Sequence, residues 1–281
     1  MTPKALRQAF RRGHRTTLTA GLAPHHMQAN VAIVGKEHAD AFEGFLRANP
    51  RACPLLARGE PGDPSLPSLG DDIDIRTDLP LYRVLRRGKP AGDLADIADL
   101  WCDDLVAFAI GCSLSFEADL VAGGVTLRCY GEHRSCSAFD TVLPNVQVGP
   151  FGGTMAVSMR AIRTDQVALA TALTRDHPDA HGGPVHIGDP AEIGVDLDAP
   201  IDGIGMTDIG AGEVAMFWAC GVTMERALRA AALPLALTHA PGHMLITDRA
   251  AGGTLASHQI DRMNGASSRP FTAQQQTGSL T

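Results

Sequence analysis

The sequence predicts an α/β fold. Three observations carry this reading: apolar runs of strand length recur at 29–34, 105–110 and 214–219; stretches with the apolar period of helices stand between them; and Gly/Pro clusters punctuate the boundaries. Strands alternating with helices argue for layered packing with some parallel pairing.

Taken in order, residues 3–13 have helical spacing, with Leu6 and Phe10 on one face, and a Gly/Pro break follows at 21–24. Residues 29–34 read as a buried strand and 37–48 as a helix with Phe42, Phe45 and Leu46 inward. The stretch 49–80 is rich in Pro and Gly, and a loop of that length is functional or wrapped over another element. A strand at 81–86, a turn at 87–89, a helix at 93–103 and a strand at 105–110 follow. A helix starts near Ser115 and stops at Gly123-Gly124. Residues 125–130 and 154–160 read as strands and 164–176 as a helix. The stretch 177–212 holds few regular elements. A strand at 214–219, a helix at 223–232 and strands at 235–238 and 244–247 complete the pattern. The organisation this suggests is a main α/β unit of residues 1–120 with 206–250, a smaller α+β unit at 121–205, and a mobile tail at 251–281.

Composition narrows the function classes. Hydrophobic residues at 44% and charged residues at 20% of the 281 suit a packed core. A net charge of −7 and 5% aromatics argue against a nucleic-acid surface. No apolar run reaches the roughly 18–20 residues of a membrane span. The six cysteines, at 53, 102, 112, 129, 136 and 220, form no Cys-x-x-Cys pair, which argues against a zinc knuckle and for reduced thiols in the cytoplasm. The N-terminus is basic, with Lys4, Arg7, Arg11, Arg12 and Arg15, a composition shared with mitochondrial presequences.

The chemistry concentrates in three segments. Two of the apolar strands end alike: Ile-Gly-Cys112-Ser113-Leu-Ser115-Phe-Glu117 and Trp-Ala-Cys220-Gly-Val-Thr223-Met-Glu225 share Cys-x-x-[Ser/Thr]-x-Glu. The hydroxyl residue suits a helix N-cap and the glutamate the positive helix end. A cysteine in a strand-to-helix turn can expose a thiolate. The alternative is a small buried hydrophobe with a capping carboxylate. Next, His181-Gly-Gly-Pro-Val-His186-Ile-Gly-Asp189-Pro hangs imidazoles and a carboxylate on a constrained path, or is a plain turn. Last, Thr238-His239-Ala-Pro241-Gly242-His243 spaces two histidines by four. On a helix they would bind metal, but Pro241 and Gly242 favour a turn, so no metal and no cofactor is expected. Arg160, at the end of the 154–160 strand, suits a substrate carboxylate or a surface ion pair.

Ten ordered motifs carry a family resemblance, among them Gln28-Ala-Asn30, Cys53-Pro-Leu-Leu, Ile110-Gly-Cys-Ser-Leu-Ser-Phe-Glu117, Val157-Ser-Met-Arg160, His181-Gly-Gly-Pro-Val-His-Ile-Gly-Asp-Pro190, Phe217-Trp-Ala-Cys-Gly-Val-Thr223 and Thr238-His-Ala-Pro-Gly-His-Met244. Together they resemble the bacterial hydro-lyases related to the N-terminal region of D-glutamate cyclase, from about residue 5 to Asp248. The resemblance implies a three-layer α/β domain carrying a smaller two-layer one, a basic N-terminus that belongs to the fold, and a carbon–oxygen lyase or cyclase activity. D-glutamate cyclase closes D-glutamate to 5-oxo-D-proline with loss of water. One strip departs from the family: relatives resemble Asn-Val-Pro-Met-Tyr-(Lys/Arg)-Thr-Asn where this chain has Ser135-Cys-Ser-Ala-Phe139-Asp140-Thr141-Val142.

The combined expectation is a cytoplasmic hydro-lyase on a small carboxylate-bearing amino acid or lactam, with no nucleic-acid or membrane partner; a homo-oligomer is compatible with it. The acid/base and thiol candidates are Cys112, His186, Cys220, His239 and His243. The substrate-binding candidates are Ser113, Ser115, Glu117, Arg160, Asp189 and Thr223. Backbone N–H groups after the two cysteines suit an oxyanion. Two rivals remain: a cofactor-independent amino-acid racemase or epimerase using the paired cysteines, and a metabolite-binding protein without catalysis.

Overall fold

The computed structural model describes residues 1–14, 18–131 and 134–252. The tail expected from 251 therefore lies, beyond Gly252, outside the described residues. The fold is mixed α/β, built on two sheets whose ladders are antiparallel throughout. Among the described residues no strands pair in parallel as expected; one isolated parallel bridge joins Cys136 and Met206.

The first sheet takes β1 (His26–Gly35), β2 (Leu55–Arg58), β3 (Tyr82–Arg86), β4 (Lys89–Leu94), β5 (Leu105–Gly111), β10 (Ala236–His239) and β11 (Leu245–Ala250). Its order is β2-β5-β1-β10-β3-β4, with β11 also on β1. The second sheet runs β6 (Ser137–Pro144), β7 (Thr154–Arg163), β9 (Glu213–Ala219) and β8 (His186–Ile187). The split expected at 206 differs from this: β9 is an inner strand of the second sheet, bonded to β7 along seven residue pairs. Two sequence expectations fail locally. Residues 93–103 hold the end of β4 and a 3-10 turn (Ala98–Leu100), not a helix. Residues 125–130 form no strand, because Val125 donates its N–H back to Leu120 and closes the preceding helix.

The alternation of β1 explains the layering. Ala32 and Val34 face α2 (Lys36–Ala48) and α5 (Val222–Ala231), packing with Phe42, Phe45, Leu46, Met224 and Leu228. Val31 and Ile33 face the opposite side, where the long 59–101 segment supplies Leu66, Leu69, Ile73, Ile75 and Leu79 instead of a helix. The Tyr82 hydroxyl fastens that wrap by donating to the Ile75 carbonyl at 2.8 Å and accepting the Leu79 N–H at 3.1 Å. The basic N-terminus is part of the fold: α1 (Pro3–Arg11) buries Arg7 in ion pairs with Asp72 and Asp248, and Arg11 pairs with Asp78. In the second sheet, Met216 and Trp218 pack on α3 (Glu117–Ala122) and α4 (Val167–Arg175).

The chain passes between the sheets at two places. Strand β5 belongs to the first sheet, and α3 after it packs on the second. Strand β9 belongs to the second sheet, and α5 after it packs on the first. Cys112 and Cys220 occupy these two passages.

Candidate functional site

Both passages open onto one cavity of about 70 Å³. Its wall brings together Cys112, Ser113, Cys220 and His239 from the expected residues, with Asn30, Ser135, Cys136, Ser158, Asp202 and Glu225. A wider groove of about 770 Å³ lies elsewhere, between the end of α2 and α4; it reaches His181 but none of these side chains.

The two cysteine turns match beyond their sequences. The N–H of Leu114 stands at the Cys112 thiol and that of Val222 at the Cys220 thiol. Three residues past each cysteine, a hydroxyl accepts an N–H from a neighbouring strand: Ser115 from Gln28 and Thr223 from Ala156, both at 2.9 Å. These hydroxyls do not cap helices as expected; they bind each turn to the adjacent strand. Ser115 and Thr223 are buried by that role and do not line the cavity. Gly111 and Gly221 are small for a reason. A Cβ on Gly111 would overlap the Asp179 carbonyl, and one on Gly221 would overlap the Asn30 carboxamide.

A break in the first sheet brings the buried Asn30 to the cavity wall. Strand β10 pairs with Ala32–Val34 of β1 and β11 with His26–Ala29, so the turn at 240–244 leaves the edge of β1 open between them. The His239 ring fills part of this gap, its Nδ1 lying 3.2 Å from the Val31 nitrogen and 3.4 Å from the Val31 carbonyl oxygen. Burial pushes His239 down to about 4, and nearby His243 adds to this, so the imidazole is neutral. Asn30 donates from Nδ2 to the Gly111 carbonyl at 2.7 Å.

Burial also sets the acids. It pushes the Cys112 and Cys220 thiols up against the help of the nearby N–H groups, and Cys136 up to about 12. Burial raises Glu225 as well, opposed by Arg229 and Arg83. Arg160 sits one layer behind the wall. Its Nε and Nη2 donate to Glu117 at 3.0 and 2.7 Å, and Nη1 and Nη2 donate to the Ser158 and Ser113 hydroxyls, both at 3.1 Å. Burial raises Glu117 against the pull of Arg160.

The remaining expected residues lie apart from the cavity wall. His186 Nε2 donates to the Asp189 carbonyl at 2.8 Å and faces Glu192 at 3.8 Å, while the Asp189 side chain accepts the Ala191 N–H. His243 Nδ1 donates to the Pro241 carbonyl at 2.8 Å in the turn itself. Among the described residues no group of three or more His, Cys, Asp or Glu side chains is arranged to hold a metal ion. None of their helices is long and apolar enough to cross a membrane.

Sequence reasoning passed over Asn30, Ser158 and Asp202. Asn30 carried a signal, an amide inside an otherwise apolar strand. Ser158 carried a weaker one, a hydroxyl two residues from Arg160 on the same face of β7. The departing strip supplies Ser135, Cys136 and Ala138 to the wall, whereas Asp140 pairs with Arg226 at 2.7 Å and Val142 is exposed.

The D-glutamate cyclase family profile matches residues 106–248, from β5 through β11, a span that includes both cysteine turns. The chain belongs to the D-glutamate cyclase family. Its relatives within it are similar over nearly their whole length. A protein of Paraburkholderia phymatum described as "Putative hydro-lyase" is 50% identical over 88% of this chain and 96% of its own. Proteins so described from Burkholderia multivorans and Bordetella petrii are 49% identical over 88% and 47% identical over 85% of this chain, covering 95% and 90% of theirs. A crystal structure of a nitrogen repressor-like protein from Methanococcus jannaschii aligns with 84% of this family member and 91% of its own chain. At 11% identity and a TM-score of 0.36, that likeness is too distant to bear on fold or function.

Proposed function

We propose that this chain is a hydro-lyase acting on a small carboxylate-bearing amino acid or its lactam, as D-glutamate cyclase does, and that the cavity between the cysteine turns is its active site. The observation that carries this reading is the convergence of Cys112, Cys220, His239 and Asn30 on one cavity. In closing D-glutamate to 5-oxo-D-proline, the amine nitrogen bonds to the side-chain carboxyl carbon, the nitrogen gives up a proton and a hydroxyl leaves as water. A departing hydroxyl needs a proton donor. The neutral His239 is suited to accept the proton that the amine gives up and to return it, as imidazolium, to the departing hydroxyl. The amide and hydroxyls of Asn30, Ser113 and Ser158 supply neutral polar groups to orient the substrate. The descriptions of the relatives as hydro-lyases support the same class. Purified protein incubated with D-glutamate or with 5-oxo-D-proline, followed by chiral chromatography, tests the reading; folded protein that converts neither would refute the cyclase assignment.

A second reading is favoured by one observation, the two thiols in a single cavity: racemisation by paired cysteines. It requires Cys112→Ser and Cys220→Ser each to abolish solvent-deuterium uptake at Cα, and the raised thiols weigh against it. A metabolite-binding role without catalysis would leave ligand affinity intact in both variants and show no turnover.

A further inference from the structure

We propose that the paired hydroxyls of Ser113 and Ser158, polarised by Arg160 behind them, are the element of this cavity that binds an oxygen of a carboxylate or of the oxyanion formed from it. The inference deepens the active-site reading and rests on it.

Among the described residues, an anion entering this cavity meets no lysine or arginine at the wall. The titratable groups there are three thiols, the carboxylates of Asp202 and Glu225, and the neutral His239. Asp202 and Glu225 are engaged with Arg83, at 3.0 and 3.9 Å, and Glu225 also with Arg229 at 2.8 Å. The positive charge directly behind the two serine hydroxyls is Arg160, which cannot swing in. Its Nε edge is held by Glu117, and its flat faces lie 4.8 Å from the Phe116 ring centre and 5.4 Å from that of Trp218. Its charge reaches the cavity through the hydroxyls.

Counting protons gives the direction. Each serine hydroxyl has one proton to donate. Ser113 Oγ and Ser158 Oγ each accept an N–H from Arg160, and they lie 3.2 Å from one another. One O–H donates across to the other oxygen. The second has no further acceptor among the described residues, and both residues line the cavity. The pair thus offers one donor, strengthened by the guanidinium and fixed before any ligand arrives. Such a preorganised donor suits an oxygen on which negative charge sits or develops.

The test is calorimetric titration of the full chain and of Ser113→Ala, Ser158→Ala and Ser158→Thr with three probes: 5-oxo-D-proline, its neutral carboxamide, and glutarate, a dicarboxylate without an amine. Each alanine variant is expected to weaken the carboxylates about tenfold or more and to leave the carboxamide unchanged; Ser158→Thr, which keeps a hydroxyl, restores the preference. Equal loss for acid and amide indicates a structural role and overturns the proposal, as does wild-type protein that binds no carboxylate probe. Hydroxyl-dependent glutarate binding without interconversion of D-glutamate and 5-oxo-D-proline leaves the anion element standing and removes the cyclase reading. Interconversion undiminished in both alanine variants leaves that reading and removes the element.

Discussion

Asn30 occupies the space that a Cβ on Gly221 would need, while its Nδ2 holds the carbonyl of Gly111 at 2.7 Å. One carboxamide thus spans the turn before Cys112 and the turn after Cys220. Gly221 has helical dihedrals, so an alanine there is strained only by its neighbour. Gly221→Ala is expected to cost about 1–3 kcal/mol in the native background and much less once Asn30→Ala has vacated the space. Denaturant unfolding of the two single variants and the double variant should show a coupling of about 0.5–3 kcal/mol; simple additivity would mean the contact does not exist.

The histidines predict how stability depends on pH. Burial lowers both His181 and His239 from 6.5 to about 4. The unfolded chain takes up protons at these sites below pH about 6.5 and the folded chain does not, so stability falls as the pH drops through the window from about 6.5 to about 4. The loss approaches about 3 kcal/mol per histidine at the bottom of that window. His181 has a φ of 77°, a conformation that asparagine tolerates. His181→Asn should therefore fold and flatten the pH slope of urea unfolding by about one proton; an unchanged slope would contradict the buried neutral imidazole.

Thiol labelling separates exposure from reactivity. Cys102 is exposed, Cys112 is buried, and Cys136 and Cys220 are half-buried, with burial pushing all three cavity thiols up. Iodoacetamide on native protein at pH 7.5 should modify Cys102 first, and the three cavity cysteines only after urea is added, as read by peptide mass mapping. Rapid labelling of Cys112 or Cys220 would instead favour the thiol-based racemase.

Two histidines that look equivalent in the sequence should behave differently. His239→Gln removes the imidazole that carries the proton at the cavity wall and is expected to lower turnover about 100- to 10,000-fold. His186→Gln alters a contact with the Asp189 carbonyl on the second sheet and should leave turnover within about threefold of wild type, the size of an unrelated surface effect. Equal losses in both would place the chemistry outside this cavity.

What the sequence revealed follows from which forces act locally. Strands β5 and β9 and helices α2 and α5 were legible because their apolar spacing is dictated by faces they bury almost completely. Strand β6 was not, since it has one partner strand and alternates Phe139 and Thr141 inward with the exposed Asp140 and Val142. The expected helix at 93–103 lost its start to β4, which Arg87 and Gly88, both at positive φ, fold back onto β3 as a two-residue hairpin. Parallel pairing was inferred from strand–helix alternation, and it failed because α3 and α5 each cross to the other sheet. The cysteine turns were legible as an echo. Their neighbours Asn30 and Ser158 left only faint local signals, because only tertiary contact brings residues from β1 and β7 to the same wall.

The divided edge of β1 has a consequence for synthesis. Its first neighbour, β5, leaves the ribosome roughly 70 residues after it, and β10 and β11 follow roughly 125 residues after β5, which at about 5–20 residues per second is a further delay of some 6–25 s. Throughout that interval a nascent chain carries an apolar strand with one side of its backbone unpaired. Expression yield, and the demand on chaperones, should therefore depend more on how fast the last third of the message is translated than on any substitution in the first.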